Sequence, residues 1–254
     1  MLLEVAKAGI AFGGVRALDS VSCGVREGEL CGLIGPNGAG KTTLFNCITR
    51  LYHLRDGSIR FGGKDITAER TRDIVRLGIA RTFQNLGLYP QMTVWENVML
   101  GAHHTRQDGF FTPIWKASFA RAEEARSSAW CGEVMRELEI DHLAERRAGD
   151  LPYGTLKRIE VARALAAKPR LLLLDEPAAG LSQGEVTEFG DLLRRLRERF
   201  ALTILLVEHN MRLVMSLCER IIVLHLGRKL AEGTPADIQD DERVTDAYLG
   251  GGDA

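Results

Sequence analysis

Short apolar runs alternate along the chain with segments whose apolar residues recur at helical spacing. The runs Leu30–Ile34, 171–174 and Thr203–Val207 are almost wholly apolar, which is typical of parallel strands buried on both faces of a sheet. Helical spacing appears at 43–51, after the first run, and at 156–167, before the second. This alternation of strands and helices predicts an α/β fold.

Less regular segments predict further elements on either side of these. The turn signal Asp56-Gly57 precedes a short strand, and Gly227-Arg228 separates the two strands of a late hairpin. The additional predicted elements are strands at 2–6, 20–25, 58–61, 79–83, 221–226 and 229–231 and a helix at 71–77.

Residues 86–150 differ from the rest because they lack long β-branched runs. Thr93 and Glu96 have the spacing of a capping box that opens a helix, and 118–138 is rich in Ala, Glu and Arg. We therefore predict a helical subdomain at 86–150, inserted into an α/β core formed by 1–85 and 151–254.

Composition excludes several classes of function. The net charge of −1 gives no electrostatic case for nucleic-acid binding. No apolar run approaches the roughly 20 residues that cross a bilayer, and the N-terminus does not resemble a signal peptide, so we expect a cytosolic protein. The adjacent His103 and His104 are interpreted as surface residues. Five scattered cysteines are expected to be reduced, buried thiols, namely Cys23, Cys31, Cys47, Cys131 and Cys218.

The most specific motif is a Walker A phosphate-binding loop between the first apolar run and the helix that follows it. Glycines let several backbone N–H groups point at one anion, and the helix N-terminus adds partial positive charge. Lys41 supplies an ammonium for the β- and γ-phosphates, and the Thr42 hydroxyl is a ligand for Mg²⁺. The predicted nucleotide-binding residues are Gly35, Pro36, Asn37, Gly38, Ala39, Gly40, Lys41, Thr42 and Thr43.

A carboxylate pair, Asp175-Glu176, ends the apolar run 171–174, at the edge where α/β sheets bind ligands. Asp175 is placed to hold Mg²⁺, and Glu176 to polarise an attacking water. His209 ends the next apolar run, on the same edge, within plausible reach of a γ-phosphate. Its neighbour Glu208 is assigned a solvated or structural role.

Three further signals allow two interpretations each from the residues alone. Gln84 is either a ligand for Mg²⁺ or water, or a solvated loop glutamine. Phe12 either stacks on a purine or belongs to the core. The segment 151–155 precedes a helix and is either an anion site or an ordinary helix start.

Taken in order, these motifs resemble those of the ATPase subunits of ATP-binding cassette (ABC) transporters across nearly the whole chain. The resemblance implies a P-loop NTPase core with a mixed sheet, an antiparallel β subdomain and an inserted helical subdomain. It also implies the roles of A-loop for Phe12, Q-loop for Gln84, signature for 151–155, catalytic carboxylate for Glu176 and H-loop for His209.

Finer motifs are similar to those of branched-chain amino acid importer ATPases of the LivG type, and importers of urea and other amides carry similar ATPases. These motifs are Arg81-Thr82-Phe83-Gln84, Met92 to Val98, Asp175 to Leu181, Gly109 to Trp115 and Ala247-Tyr248-Leu249-Gly250. The resemblance implies ATP and Mg²⁺, a second ATPase subunit, membrane permease subunits and, indirectly, a periplasmic solute-binding protein. It places the chain peripherally on the cytoplasmic face of the inner membrane, with Gly154 acting on the partner's nucleotide. The aromatic residues Phe110, Phe111, Trp115 and Phe119 either contact the permease or pack within the helical subdomain.

The signature departs from the general L-S-G-G-Q pattern at Pro152, Tyr153 and Thr155, and Ser182 stands where the D-loop usually has aspartate. Pro152 has neither a hydroxyl nor an N–H group, so a serine contact with the γ-phosphate is lost. We therefore expect a heterodimer with unequal sites, with a homodimer as the alternative. A non-transport ABC ATPase remains an alternative, although this chain has one cassette and no heptad arm. A small-molecule P-loop kinase is a second alternative, although the signature-like segment counts against it.

Overall fold

The computed structural model describes residues 1–82, 87–102 and 117–249, which form two β-sheets flanked by helices. The strands are β1 (Leu3–Phe12), β2 (Val15–Val25), β3 (Leu30–Ile34), β4 (Asp56–Phe61), β5 (Lys64–Asp65), β6 (Ile79–Arg81), β7 (Leu171–Asp175), β8 (Thr203–Val207), β9 (Arg220–His225) and β10 (Arg228–Gly233). The helices are α1 (Lys41–Ile48), α2 (Thr71–Ile74), α3 (Val94–Ala102), α4 (Ala117–Glu137), α5 (Tyr153–Ala166), α6 (Gln183–Phe200), α7 (Met211–Leu217), α8 (Pro235–Gln239) and α9 (Glu242–Leu249).

The larger sheet has the strand order β10-β9-β3-β8-β7-β6. All neighbours are parallel except β10, which forms the predicted late hairpin with β9. The prediction of an α/β fold with a mixed sheet is therefore confirmed. Two elements are shorter than expected. Strand β6 ends at Arg81 rather than at residue 83, and helix α2 ends at Ile74 rather than at residue 77, with turns from there to Gly78.

Alternating side chains of the buried strands divide the core into two clusters. Leu172 and Leu174 of β7 pack on one face of the sheet, against α5 and α6, whereas Leu171 and Leu173 pack on the other, against α1 and the small sheet. This period-two alternation explains why the central strands are apolar throughout. The sheet is thus rigidly sandwiched, which fixes the loops at its carboxyl edge.

The smaller sheet is antiparallel, with the order β2-β1-β4-β5, as the resemblance implied. It is joined to the β9–β10 turn, because the backbone N–H of Asp19 donates to the carbonyl of Gly227 at 2.8 Å. Strands β1 and β2 extend well beyond the predicted 2–6 and 20–25, since many of their positions face solvent and break the apolar pattern.

Most of the described residues between 87 and 150 lie in helices, as predicted for this region. Helix α3 opens with the expected capping box, in which the Thr93 hydroxyl accepts from the Glu96 N–H at 3.1 Å and the Glu96 carboxylate accepts from the Thr93 N–H at 2.8 Å. Helices α3 and α4 share a hydrophobic cluster with α5 and the main sheet. The predictions for Gln84, His103, His104 and the aromatic insert lie outside the described residues, as does the side chain of Phe119.

Cysteine burial agrees with prediction except at one position. Four of the five free thiols are buried and Cys23 is half-buried. Burial raises the pKa of Cys131 to about 11, so this thiol is unreactive at neutral pH. Among the described residues, no helix combines the length and apolar character required to cross a bilayer.

Candidate active site

The loop between β3 and α1 follows a path that requires glycine. Gly35 has φ +150°, and a Cβ there would lie 2.1 Å from the carbonyl oxygen of Leu224. Gly40 has φ +105°, and a Cβ there would lie 2.7 Å from the carbonyl oxygen of Ala17. Both positions therefore exclude any side chain, and the loop is wedged between β9 and β2.

Lys41, the first residue of α1, is folded back over this loop. Its Nζ donates to the carbonyl oxygens of Gly35 at 2.7 Å and Pro36 at 3.0 Å. Burial lowers the pKa of Lys41, and the carboxylates of Glu176 and Asp175 act in the opposite direction. The loop thus holds a buried cation near two carboxylates.

Asp175, at the end of β7, has its two carboxylate oxygens in different environments. Oδ2 accepts a hydrogen bond from Arg81 Nη2 at 2.7 Å, whereas Oδ1 is buried and has no hydrogen-bond partner among the described residues. A buried carboxylate oxygen without a donor is costly, so a cation is a suitable partner. Asp175 and Thr42 line the same cavity of about 910 Å³.

Glu176 and His209 form a direct contact at the same edge of the sheet. Glu176 Oε1 and His209 Nε2 are 2.8 Å apart, and the Glu176 N–H donates to the carbonyl of Val207 at 2.9 Å. Glu176 has φ +50°, which is uncommon for a residue with a side chain. Adjacent parallel strands β7 and β8 therefore bring these two predicted catalytic residues together.

Glu208, beside His209, is buried rather than solvated, which corrects one of its two predicted roles. Its Oε1 accepts from the Ala178 N–H at 2.7 Å, and its Oε2 accepts from the His209 N–H at 3.1 Å. Burial raises the pKa of this carboxyl, and the backbone donors oppose the shift. Glu208 thus ties the loop after Glu176 to the loop that contains His209.

The signature-like segment opens helix α5 at some distance from these residues. Pro152 is the N-cap residue and supplies no side-chain cap to the helix. Tyr153 packs against Gly180 of the D-loop, residues 179–182, and Lys157 lies beneath its ring, with Nζ 5.5 Å from the centroid. Pro152 and Gly154 line a cavity different from the one that contains Thr42 and Asp175.

Ser182, the unusual end of the D-loop, has a local structural role. Its hydroxyl accepts from the Glu185 N–H at 3.5 Å, and its N–H donates to the Glu185 carboxylate at 2.8 Å, which completes a capping box on α6. Serine caps helices about as well as aspartate does, so this substitution preserves the helix start.

Phe12 is not a core residue, since 45% of its surface is exposed. It lies beside Tyr52 in an edge-on contact with ring centroids 5.0 Å apart. The interpretation as a buried core phenylalanine is therefore wrong, and the exposed ring remains a candidate for stacking on a base.

Two residues next to the site were not predicted to act there. The sequence marks Arg81 only through a family motif, and its pairing with Asp175 connects residues 94 positions apart. Tyr248 of α9 lies against the backbone N–H of Gly35; burial raises the pKa of its phenol, and this N–H acts in the opposite direction. Long-range contacts of this kind leave no local pattern in a sequence.

The fold and these residues define a P-loop ATPase of the ATP-binding cassette class. The chain belongs to the ABC transporter family, whose model matches residues 18–179. A second model, described as branched-chain amino acid ATP-binding cassette transporter, matches residues 228–254.

Curated relatives match over nearly their whole length. The high-affinity branched-chain amino acid transport ATP-binding protein BraF of Pseudomonas aeruginosa is 40% identical over 249 residues, which cover 98% of each chain. The protein LivG of Escherichia coli, with the same description, is 40% identical over 253 residues and 98% of each chain. A solved ATP-binding cassette of an ABC transporter in its ADP conformation has a TM-score of 0.85, 30% identity and 98% coverage of both chains.

Proposed function

We propose that this chain is the ATP-hydrolysing subunit of an importer for branched-chain amino acids. The single observation that supports the substrate class most directly is the match of residues 228–254 to the branched-chain cassette model. The names of relatives aligned over 98% of the chain support the same class. On this proposal the chain acts at the cytoplasmic face of the inner membrane, through permease subunits and a periplasmic solute-binding protein.

The phosphate-binding loop holds the triphosphate through backbone N–H groups and Lys41. Lys41 Nζ donates to the carbonyl oxygens of Gly35 and Pro36. The arriving β- and γ-phosphates offer the ammonium stronger, charged acceptors, so Lys41 exchanges carbonyl oxygens for phosphate oxygens. The exposed ring of Phe12 stacks on the adenine.

Mg²⁺ fits the residues present, because Asp175 Oδ1 is buried and has no donor among the described residues. Thr42 and Asp175, with Gln84 of the Q-loop, are the proposed ligands. An Mg²⁺ ion held by these residues would neutralise charge on the phosphate oxygens during phosphoryl transfer.

Glu176 orients the attacking water and accepts its proton, and His209 positions the Glu176 carboxylate. Their contact of 2.8 Å supports this assignment, since a general base must itself be held in a defined orientation. His209 also stabilises charge on the γ-phosphate through its exposed ring.

The functional unit is a dimer of ATPase subunits, in which Gly154 of one chain contacts the nucleotide held by the other. The separation of Gly154 and Thr42 into different cavities supports this arrangement, because one chain does not combine both around a single nucleotide. ATP binding closes the dimer, hydrolysis reopens it, and the motion passes through the helical subdomain to the permease.

Reconstitution tests the substrate class. The chain is co-expressed with any permease, ATPase and solute-binding genes found beside its own, and the purified complex is placed in lipid nanodiscs. We expect leucine-loaded binding protein to stimulate ATP hydrolysis and urea or short amides to have no effect. The matched complex with Glu176→Gln controls for contaminating ATPases.

Stimulation by urea or amides, without any response to leucine, isoleucine or valine, would assign the chain to an amide importer. An ATPase rate that is the same with and without permease subunits, and that no solute changes, would instead favour a non-transport ABC ATPase.

A further inference from the structure

We propose that Arg81 is a positioning residue for the metal-binding carboxylate of the ATPase site, and this inference rests on the proposed Mg²⁺ role of Asp175. One oxygen of Asp175 is bound by Arg81, while the other is buried without a donor among the described residues. Arg81 therefore holds one oxygen of the carboxylate, and the other, buried oxygen is the one proposed to bind Mg²⁺.

Arg81 is itself held from three directions. Its Nη1 donates to Asn46 Oδ1 at 2.6 Å, its Nη2 donates to Asp175 Oδ2 at 2.7 Å, and its guanidinium lies 5.4 Å from the centroid of the Phe45 ring. Asn46 and Phe45 belong to α1, the helix that begins at the phosphate-binding loop. Arg81 thus fixes the Asp175 carboxylate relative to the helix that holds the nucleotide.

Burial makes this clamp effective. The side chains of Arg81 and Asp175 are only 9% and 1% exposed, so water does not compete strongly for their contact. A planar guanidinium bonds a carboxylate and an amide oxygen at once, whereas a lysine ammonium on a flexible stem does not hold the same geometry. Residues that orient metal ligands typically contribute about 10- to 100-fold in metal affinity.

The position of Arg81 also connects the metal site to the Q-loop. Arg81 ends β6, the edge strand of the main sheet, and the residues that follow lead to Gln84.

The test is Mn²⁺ binding, measured by electron paramagnetic resonance on the full chain with a non-hydrolysable ATP analogue. We expect Arg81→Lys, which keeps the charge and loses the planar fork, to weaken Mn²⁺ binding about 10-fold. Binding of the analogue in EDTA should stay at the wild-type level, because the clamp contacts the metal ligand and not the phosphate loop.

The matched control is Arg220→Lys, since Arg220 is a similarly buried arginine paired with a buried carboxylate, Glu29, away from the site. It should lower stability without changing Mn²⁺ affinity. If Arg81→Lys does not fold, Asn46→Ala removes the opposite anchor of the guanidinium and should weaken Mn²⁺ binding in the same direction.

Asp175→Asn separates the proposed metal role of Asp175 from the proposed positioning role of Arg81. If Asp175→Asn leaves Mn²⁺ affinity unchanged, the proposed metal role of Asp175 is wrong. If Asp175→Asn weakens binding but a folded Arg81→Lys matches wild type, only the positioning role is overturned. The positioning role would also be contradicted if Arg81→Lys weakened Mn²⁺ binding and analogue binding in EDTA by the same factor. Equal losses would indicate a general disturbance of the nucleotide site.

Discussion

The proposed catalytic base, Glu176, can be tested by a substitution that replaces one carboxylate oxygen with an amide nitrogen. Glu176→Gln keeps the size of the side chain and removes its capacity to accept a proton, while Lys41 and the loop amides remain intact. We expect ATP hydrolysis to fall about 10²- to 10⁴-fold, with ATP binding retained. Glu198→Gln, at an exposed position on α6, is the control and should leave both unchanged. Turnover near wild type in the purified complex would make the assignment wrong.

Glu208 predicts a pH dependence of stability that a surface carboxylate does not show. Because burial raises its pKa above the ordinary 4.5, the folded protein binds this proton more tightly than the unfolded chain does. The free energy of unfolding of the wild type, minus that of Glu208→Gln, should therefore rise as pH falls from neutral toward 4.5. Denaturant titration at several pH values measures this difference.

Glu185 gives the opposite sign in the same experiment. Its pKa is lowered by hydrogen bonds from the hydroxyl and the N–H of Ser182. The free energy of unfolding of the wild type, minus that of Glu185→Gln, should fall as the pH drops through the range in which carboxylates become protonated. The reason is that the folded protein binds this proton less tightly than the unfolded chain does. Equal trends for Glu185 and Glu208 would contradict the burial argument.

At the scale of elements, Arg220 joins the start of β9 to the start of β3 and to β2. It binds both carboxylate oxygens of the buried Glu29, at 2.7 and 2.8 Å, and donates to the carbonyl of Gly24 at 2.6 Å. Burial acts to raise the pKa of Glu29, but the Arg220 bonds and the Arg26 N–H outweigh it and hold the pKa below its usual value.

Arg220→Met leaves the Glu29 charge buried without its partner. We expect this substitution to lower the free energy of unfolding by about 3–5 kcal/mol. Arg228→Met breaks the more exposed pair with Asp19 and should lower the free energy of unfolding much less. Comparable losses in denaturant titrations of the two variants would indicate that burial does not govern the strength of these pairs.

How much of this fold a sequence reveals depends on whether the signal is local. Strands β3 and β8 match their predicted bounds, because both faces are buried and the apolar run has clear ends. Helix α5 begins three residues before the predicted 156, since Pro152 serves as N-cap and the exposed first turn has no apolar pattern. The motif residues Lys41 and Asp175 were predictable from spacing. The role of Arg81 was not, because its partner is 94 positions away.

At the scale of the whole molecule, the unusual signature predicts unequal sites in the assembled dimer. Pro152 offers neither a hydroxyl nor an N–H group, so the nucleotide held by the partner chain lacks one donor. In a heterodimer, Glu176→Gln in this chain and the equivalent change in the partner should reduce turnover by different factors. Single-turnover hydrolysis in the reconstituted complex measures each site, and equal losses would remove the case for asymmetry.

If Glu176 is the catalytic base, as proposed above, its left-handed backbone sets stability against turnover at this position. A residue with a side chain at φ +50° costs roughly 1–2 kcal/mol, whereas glycine adopts this conformation without steric strain. Glycine there would relax the backbone and abolish the carboxylate. On the proposed mechanism, a screen of residue 176 for thermal stability alone would therefore tend to enrich glycine and with it inactive proteins.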